Sequence, residues 1–425
     1  MTVTEPRAAQ ECPTARWTGL PAPEPGLRTR VGAVVARRLF TGAVDRLPVT
    51  VHLHEPYGIR TTGRGGPVMD VLRPEELFAR LGRDANIGFG EAYLTGAWEA
   101  EDLAGFLTVL ARALEELVPR PLHGLRGLVM PRIGRHHRGD PADTQRDIAH
   151  HYDLSNELFA LFLDPSLTYS SAWFRTDADG LPIEGDELEP AQERKIDALL
   201  DLAGVGPGTR LLEIGTGWGT LAIRAARRGA DVVTVTLSEE QALLARQRVA
   251  AAGLSERVDV QLRDYRDVTG TYDAVVSVEM VEAVGWRYWP SYLSTIDRVL
   301  APGGRVAIQS ITMAHHRMLA TRDTDTWITR YVFPGGFLPS VRALAEAARD
   351  HTSLRLRSGT SLGLHYAETL RQWDEAFTAN SAEVEALGFD ADFRRMWHFY
   401  LEYCRAGFAA GYIDDQQLLF TREGA

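Results

Sequence analysis

From residue 190 onward, strand-like and helix-like segments alternate, and this alternation constrains the fold more than any other feature of the chain. Short runs rich in β-branched residues stand at RLLEIG (210–215), DVVTVTL (231–237), VDVQLRD (258–264), YDAVVSVEM (272–280) and RVAIQSI (305–311). Helical stretches, TLAIRAARRG and SEEQALLARQRVAAAG, separate the first of them. Strands joined through helices pair in parallel, and each crossover helix covers a face of the sheet. Ser238 and Gln241 occupy capping-box positions and Gly253 supplies a stop, so the second helix is well bounded. The expected fold class is α/β.

The preceding part reads differently. Residues 1–26 are rich in Pro, Ala and Gly without periodicity, which predicts a disordered lead-in. A helical stretch (RVGAVVARRLF), an alternating strand (LPVTVHLHE), a glycine-rich turn (TTGRGG) and a strong helix (DLAGFLTVLARALEEL) then suggest a small α+β domain over 27–140. The basic, proline-broken segment 119–143 reads as a linker, which leaves 141–425 as the second domain. A length of 425 residues exceeds one comfortable core, in line with this division. The net charge of −11 removes any global pull towards nucleic acid or an anionic membrane, so membrane contact has to be local. Cys12 and Cys404 are the only cysteines, which argues against a disulfide framework and for a reducing, cytoplasmic setting. The N-terminus lacks a signal-peptide pattern, and no apolar run approaches the ~20 residues needed to span a bilayer.

LLEIGTGWG places Glu213, Gly215, Gly217 and Gly219 between a buried strand and a helix, where glycines let the backbone approach a ligand closely. The spacing is G-x-G-x-G, since position 220 is Thr. The acidic residue that a dinucleotide ribose needs about 20 residues on is replaced by Thr236-Leu237-Ser238. Glu213 precedes the glycines, where a carboxylate can meet a ligand's ammonium group. These features favour S-adenosylmethionine over a nicotinamide dinucleotide. Asp264 and Tyr265, at the end of the third strand, offer an acceptor for an adenine amino group and a flat stacking face; the alternative for Asp264 is a solvated strand end.

HHYDLSNELFALFLDPSLTYSSAWF (150–174), followed in order by LLEIGTGWG, VTLSEEQ, LRDYRDV, VEMVEAVG, WITRYVFPGGFLPS and LHYAETL, resembles the cyclopropane-fatty-acyl-phospholipid synthase family of methyltransferases. The resemblance includes IGFGEAYLTGAW and covers nearly everything after residue 30. VEMVEAVG with AIQSITMAHHRMLATR looks closest to the actinobacterial branch that makes 10-methylene fatty acids, precursors of 10-methyl acids such as tuberculostearic acid. It implies a Rossmann-like class I methyltransferase sheet with a smaller N-terminal α+β domain for lipid binding or oligomerisation. It also implies cofactor contacts at Tyr152, Tyr169, Ser170, Gly215, Gly217, Thr236, Leu237, Gln241, Asp264 and Tyr265. By the same resemblance a bound bicarbonate serves as base, held by the Glu282 carboxylate, the Tyr366 hydroxyl and backbone groups at Ile311 and Ser171. Gln309 stands where a histidine is expected, Ser171 where cysteine is usual, and Glu279 and Ala283 where the family has Gly and His. Cys404 matches a cysteine suspected as a nucleophile, although FYLEYCRAGF reads as an amphipathic helix and predicts a packing role. The expected partners are a membrane phospholipid with an unsaturated acyl chain, a separate reductase and a second copy of the chain. Neither metal nor nucleic acid is expected.

An alkene that attacks a sulfonium methyl leaves a carbocation, which must be sheltered from water and lose a proton to a base. Trp173, Phe174, Trp286, Tyr288, Trp289, Tyr331 and Phe333 could line such a site, although each alone is more simply core. Proton loss from the methyl with ring closure gives a cyclopropane; a hydride shift first gives an exocyclic methylene. An amide at Gln309 cannot titrate, and the expectation is that it slows the base and favours the methylene. Competing expectations are a cyclopropane product, a small polar acceptor, and a noncatalytic protein that binds lipid or cofactor. Arg28, Arg30, Arg37 and Arg38, and Arg132, Arg135, His136, His137 and Arg138, are candidates for transient docking at the inner membrane face, against the plainer reading of solvated charge.

Overall fold

The structure is a computed structural model that describes residues 20–24, 26–117 and 154–423. The expected linker, the domain boundary near 140, most of the lead-in and Tyr152 lie outside the described residues. The N-terminal region runs α1 (Leu27–Val44), β1 (Thr50–Glu55), β2 (Gly58–Gly63), β3 (Val68–Val71), α2 (Pro74–Leu94), β4 (Trp98–Ala100) and α3 (Leu103–Leu117). Its sheet has the order β2-β1-β3-β4, with β1 parallel to β3 and the other pairs antiparallel. In β1 the alternation works as the sequence suggests, since Val51 and Leu53 are buried and their neighbours are not. Part of the expected TTGRGG turn is strand: Thr61, Thr62 and Gly63 pair with β1, and a Cβ at Gly63 would lie 1.9 Å from the Val49 carbonyl oxygen. The end of the lead-in is tied down, because the buried Arg80 guanidinium donates to the carbonyls of Leu20 and Pro21.

The larger region contributes α4 (Leu188–Ala203), β5 (Arg210–Ile214), α5 (Thr220–Arg227), β6 (Asp231–Thr236), α6 (Glu239–Ala251), β7 (Val258–Leu262) and β8 (Tyr272–Val278). There follow α7 (Trp289–Val299), β9 (Leu300–Met313), α8 (Val341–His351), β10 (Leu354–Ser361), α9 (Gly363–Ala379), α10 (Ala391–Ala409) and β11 (Ile413–Arg422). The seven strands lie in the order β10-β11-β9-β8-β5-β6-β7, and β11 alone runs against both neighbours. The chain steps outward from β5 to β7 and then returns to the other side of β5 at β8. That reversal opens a crevice at the carboxyl ends of β5 and β8, where ligands of such sheets bind.

Successive residues of a strand point to opposite faces. Leu211 therefore packs with α4, α5 and α6, whereas Leu212 packs with α7 and α8. A third, aromatic core joins the N-terminal region to α9 and α10. In it Tyr93 lies 4.9 Å from Phe399 between ring centroids, and the Glu402 carboxylate accepts from Ala104 N at the start of α3. The two expected domains thus share one core across the described residues. Strands β10 and β11 are not expected from the sequence, because β10 is mostly exposed and β11 carries Asp414-Asp415-Gln416-Gln417 near its start, which reads as loop. No helix among the described residues is long and apolar enough to cross a membrane.

Candidate active site

The crevice is a pocket lined by Tyr169, Ser170, Glu213, Gly215, Gly217, Thr236, Leu237, Gln241, Asp264 and Tyr265, so ten of the twelve expected cofactor positions converge. Gly215 (φ 99°) and Gly217 (φ 51°) take the left-handed backbone that brings the turn over the strand ends. The turn is held to β6 by Gly215 N and Thr216 N, both donating to the Val235 carbonyl. Gly219 does not line the pocket. It caps α5, and a Cβ there would stand 3.2 Å from that of Ala245, so its role is helix packing. Ser238 Oγ accepts from Gln241 N as expected of a cap, but Gln241 does not reach back; its Oε1 accepts from Thr236 Oγ1 at 2.9 Å instead. Asp264 accepts from the backbone N and the guanidinium of Arg266. Burial would raise its pKa, but those bonds outweigh burial and lower it.

Glu213 is 3% exposed, and its Oε2 has no partner. Burial pushes its pKa up to about 8. A buried carboxyl with one oxygen unpartnered, beside an open glycine turn, fits a ligand that brings its own cation, as the ammonium of S-adenosylmethionine does.

On the other wall the expected ion-binding groups meet each other. Glu279, one residue past β8 and at φ 47°, sends its carboxylate into the protein. Its Oε1 accepts from Ser171 N (2.9 Å) and Gln309 Nε2 (3.0 Å), and its Oε2 from Tyr366 Oη (2.6 Å). Glu282 Oε1 accepts from Ile311 N (2.6 Å) and Ser310 Oγ (2.8 Å), while its Oε2 is buried without a partner. The donors expected to hold a free bicarbonate thus hold side chains of the chain itself. Gln309 also donates to Asp415 Oδ2 (2.9 Å) and accepts from Gln417 Nε2, which fixes its amide in a buried network and leaves it no bond to a separate ion. Burial, with the Glu279 charge, raises Glu282 to about 8, and burial drives Asp415 well above the carboxylate range. Lys195, fully buried on α4, donates to Ser170 Oγ at 2.6 Å, and burial lowers its pKa to about 8.

Three ionisable groups here, Lys195, Glu279 and Asp415, are not among the site residues that the sequence points to. Lys195 and Gln192 share the buried stripe of α4 at helical spacing, which could have drawn notice. Glu279 was noted only as a departure from glycine, and Asp415 lay in an unrecognised strand.

The expected aromatic wall mostly serves elsewhere. Trp286 is covered by the guanidinium groups of Arg287 and Arg322, at 5.0 and 4.5 Å. Tyr331 donates to Glu91. Trp289 and Phe174 are core, Phe333 packs on Tyr400 and Trp173 lies against His365. Of the seven, Tyr288 alone lines the pocket. The ring in contact with Glu279 is instead Tyr366, stacked on Phe408 at 4.4 Å, and Tyr169, beside Trp373 at 5.2 Å, lines the pocket. Cys404 sits in α10 against the aromatic core, and burial pushes its thiol up to about 12. A nucleophilic thiolate is not available there.

A mostly parallel sheet with this strand order, a glycine cradle at its switch point and a buried anionic wall make the chain an S-adenosylmethionine-dependent methyltransferase. Its sequence matches the family model for mycolic acid cyclopropane synthetase over residues 140–418. It is 50% identical over 413 residues, 96% of each chain, to the tuberculostearic acid methyltransferase UfaA1 of Mycobacterium tuberculosis. It is 33% identical to the cyclopropane-fatty-acyl-phospholipid synthase of Escherichia coli K12, over 86% of this chain and 90% of that one. The cyclopropane synthase MmaA2 of M. tuberculosis superposes with a TM-score of 0.59 at 32% identity, over 65% of this chain and 97% of that one. CmaA1, solved with SAH and CTAB, gives 0.58 at 32% identity, again over 65% of this chain and 97% of that one. The chain belongs to the mycolic acid cyclopropane synthetase family.

Proposed function

We propose that this enzyme methylates the cis double bond of an oleoyl-type acyl chain carried on a membrane phospholipid and releases a 10-methylene product. The observation that carries this reading is the carboxylate of Glu279, held in the pocket lining by three donors: it suits an acceptor that turns into a cation and must then lose a proton. Bound S-adenosylmethionine supplies the methyl group. The chain's part is to seat its ammonium on Glu213, exclude water with Tyr169, Tyr366 and Trp373, and take up a proton. UfaA1, named for tuberculostearic acid, matches along nearly the whole chain, N-terminal region included, which supports a methylene over a cyclopropane outcome. The test is incubation with methyl-labelled donor and dioleoyl phosphatidylglycerol vesicles, followed by gas chromatography–mass spectrometry of the acyl methyl esters. A labelled 10-methylene ester is expected; a labelled cyclopropane would favour the second product, and unlabelled lipid would refute the reading.

The same proposal places the protein in the cytoplasm, transiently at the inner membrane face, as a homodimer whose product passes to a separate reductase. The docking element is α1. Leu27, Val31, Val34 and Leu39 are 80, 56, 68 and 54% exposed at helical spacing, flanked by exposed Arg28, Arg30 and Arg38. Arg37 is excluded from that role, since it pairs with Glu55 and lies over Phe78. The basic residues 132–138 lie outside the described residues. Replacing Val31, Val34 and Leu39 with Ser should cut sedimentation with anionic vesicles several-fold, by the loss of buried apolar area; unchanged binding would remove α1 from the proposal.

A further inference from the structure

The carboxyl groups of Glu279, Asp415, Asp164 and Glu213 lie around the buried Lys195, and that of Glu282 lies beside Glu279. They are not equivalent. Three donors converge on Glu279, one from the loop before α4, one from β9 and one from α9: Ser171 N, Gln309 Nε2 and Tyr366 Oη. Glu282 receives two on a single oxygen, and Asp415 shares one amide proton of Gln309. A carboxyl that accepts three hydrogen bonds and borders the pocket is the one poised to stay ionised and meet a ligand, whereas Glu282 stands behind the lining. The backbone at Glu279 is itself unusual, with φ 47° at a non-glycine residue. A left-handed conformation of this kind persists only where the surroundings impose it, and such positions cluster at active sites.

We infer that Glu279 is the proton acceptor of the reaction, a base built into the chain at the place where a relative of this family would need a separate anion. This rests on the proposed acyl acceptor and adds to it. The balance is simple. The alkene electron pair forms the new bond to the methyl carbon as the bond from that carbon to sulfur breaks, and S-adenosylhomocysteine leaves with that pair. A hydride then moves to the cationic carbon from the methylated one. The C–H pair of the new methyl becomes the exocyclic double bond, and its proton goes to Glu279 Oε, which is neutral until it releases the proton to solvent. Burial raises the Glu279 pKa above the ordinary carboxylate value, and the Tyr366 and Ser171 bonds oppose it, so the group is a stronger base than an exposed glutamate while it remains ionised. Tyr366 and Gln309 are positioning residues in this scheme. It also revises the expectation for Gln309, whose amide orients a fixed base and does not weaken a mobile one.

The test has two arms. In the first, 13C-bicarbonate is titrated into protein free of donor and lipid and followed by NMR line broadening. The wild type should show no saturable binding, and Glu279→Gly, which empties the seat, should show it. In the second, turnover is measured in carbonate-free buffer with the donor and dioleoyl vesicles. The wild type should keep its full rate, and Glu279→Gln should lose about 100-fold or more in kcat with donor affinity by calorimetry little changed. Added bicarbonate should restore part of the rate to Glu279→Gly, with circular dichroism confirming that both variants fold. Saturable bicarbonate binding by the wild type, a wild-type rate that collapses without carbonate, or Glu279→Gln within about tenfold of wild type would overturn the inference. If the wild type leaves oleoyl lipid unlabelled yet the binding arm comes out as expected, the acceptor is wrong and the seat assignment stands.

Discussion

The two walls of the pocket are made in different ways. The wall proposed to seat the cofactor comes from one short stretch of chain: Glu213 lies one residue before the end of β5, and Gly215 and Gly217 follow within four residues, with Thr236 and Gln241 supplied by the next strand and helix. The opposite wall is assembled from far apart. Ser171, Lys195, Glu279, Gln309, Tyr366 and Asp415 come from six separate segments, and no two of them are neighbours in sequence. A cradle of backbone can be specified locally, whereas a cluster of buried acids exists only because the sheet and α9 close over it. The first wall presents a carboxyl with one unpartnered oxygen. The second ties Glu279 to three donors of the chain itself and leaves one oxygen each of Glu282 and Asp415 without a partner.

The sharpest way to break this contrast is to remove the cation seat. Glu213→Gln should weaken binding of the donor roughly 10- to 100-fold, the range of a lost charge-assisted hydrogen bond, and calorimetry reads it directly. The sign of the pH dependence follows from the raised pKa. Below about 8 the free Glu213 holds a proton, and the ammonium can bind only as that proton leaves. Wild-type affinity should therefore rise with pH towards 8, by up to about tenfold per unit, and the variant should lose that slope. An equally pH-sensitive variant would show that the coupled proton sits elsewhere in the cluster.

The same contrast explains what could be read from the sequence. The five parallel strands, the glycine turn and the cap of α6 rest on local periodicity and spacing, and all were visible. Strands β10 and β11 were not, because β11 hides a buried position under the polar run Asp414-Asp415-Gln416-Gln417, whose Asp415 and Gln417 face the charged cluster. Glu282, Tyr366 and Gln309 stand out in the sequence and lie together in the fold, but what they contact is not legible there. A hydrogen bond from Tyr366 to Glu279 joins residues 87 apart, and no local pattern encodes it.

The second wall can be probed through the stability of the protein without ligand. Glu282 is raised to about 8 in the folded state from an ordinary value of 4.5, so the folded state holds its proton more tightly than the unfolded chain does. Its contribution is fully present below about 4.5 and is lost as pH rises to about 8. Glu282→Gln keeps an acceptor for Ile311 N and Ser310 Oγ but carries no charge to bury. The variant should be more stable than the wild type at pH 8, by up to about 4 kcal/mol at roughly 1.4 kcal/mol per pH unit, and should match it near pH 4.5. Thermal melts across that range decide the matter, and parallel curves would mean that Glu282 is not among the protonated members of the wall.

The smallest effect is expected at Cys404, which belongs to neither wall. Its thiol is raised to about 12 by burial, and it packs on the aromatic core from α10. Direct attack by the alkene on the methyl group leaves nothing for a thiolate to do. Cys404→Ala should then keep kcat within about twofold of wild type and cost about 1 kcal/mol of stability, the scale of one buried group removed from a packed site. Modification by iodoacetamide should be slow even at pH 9, since the thiolate fraction there is still small. A drop of more than tenfold in kcat at an unchanged melting temperature would put a third functional group in the reaction and undo the division between a seat for the cation and a seat for the proton.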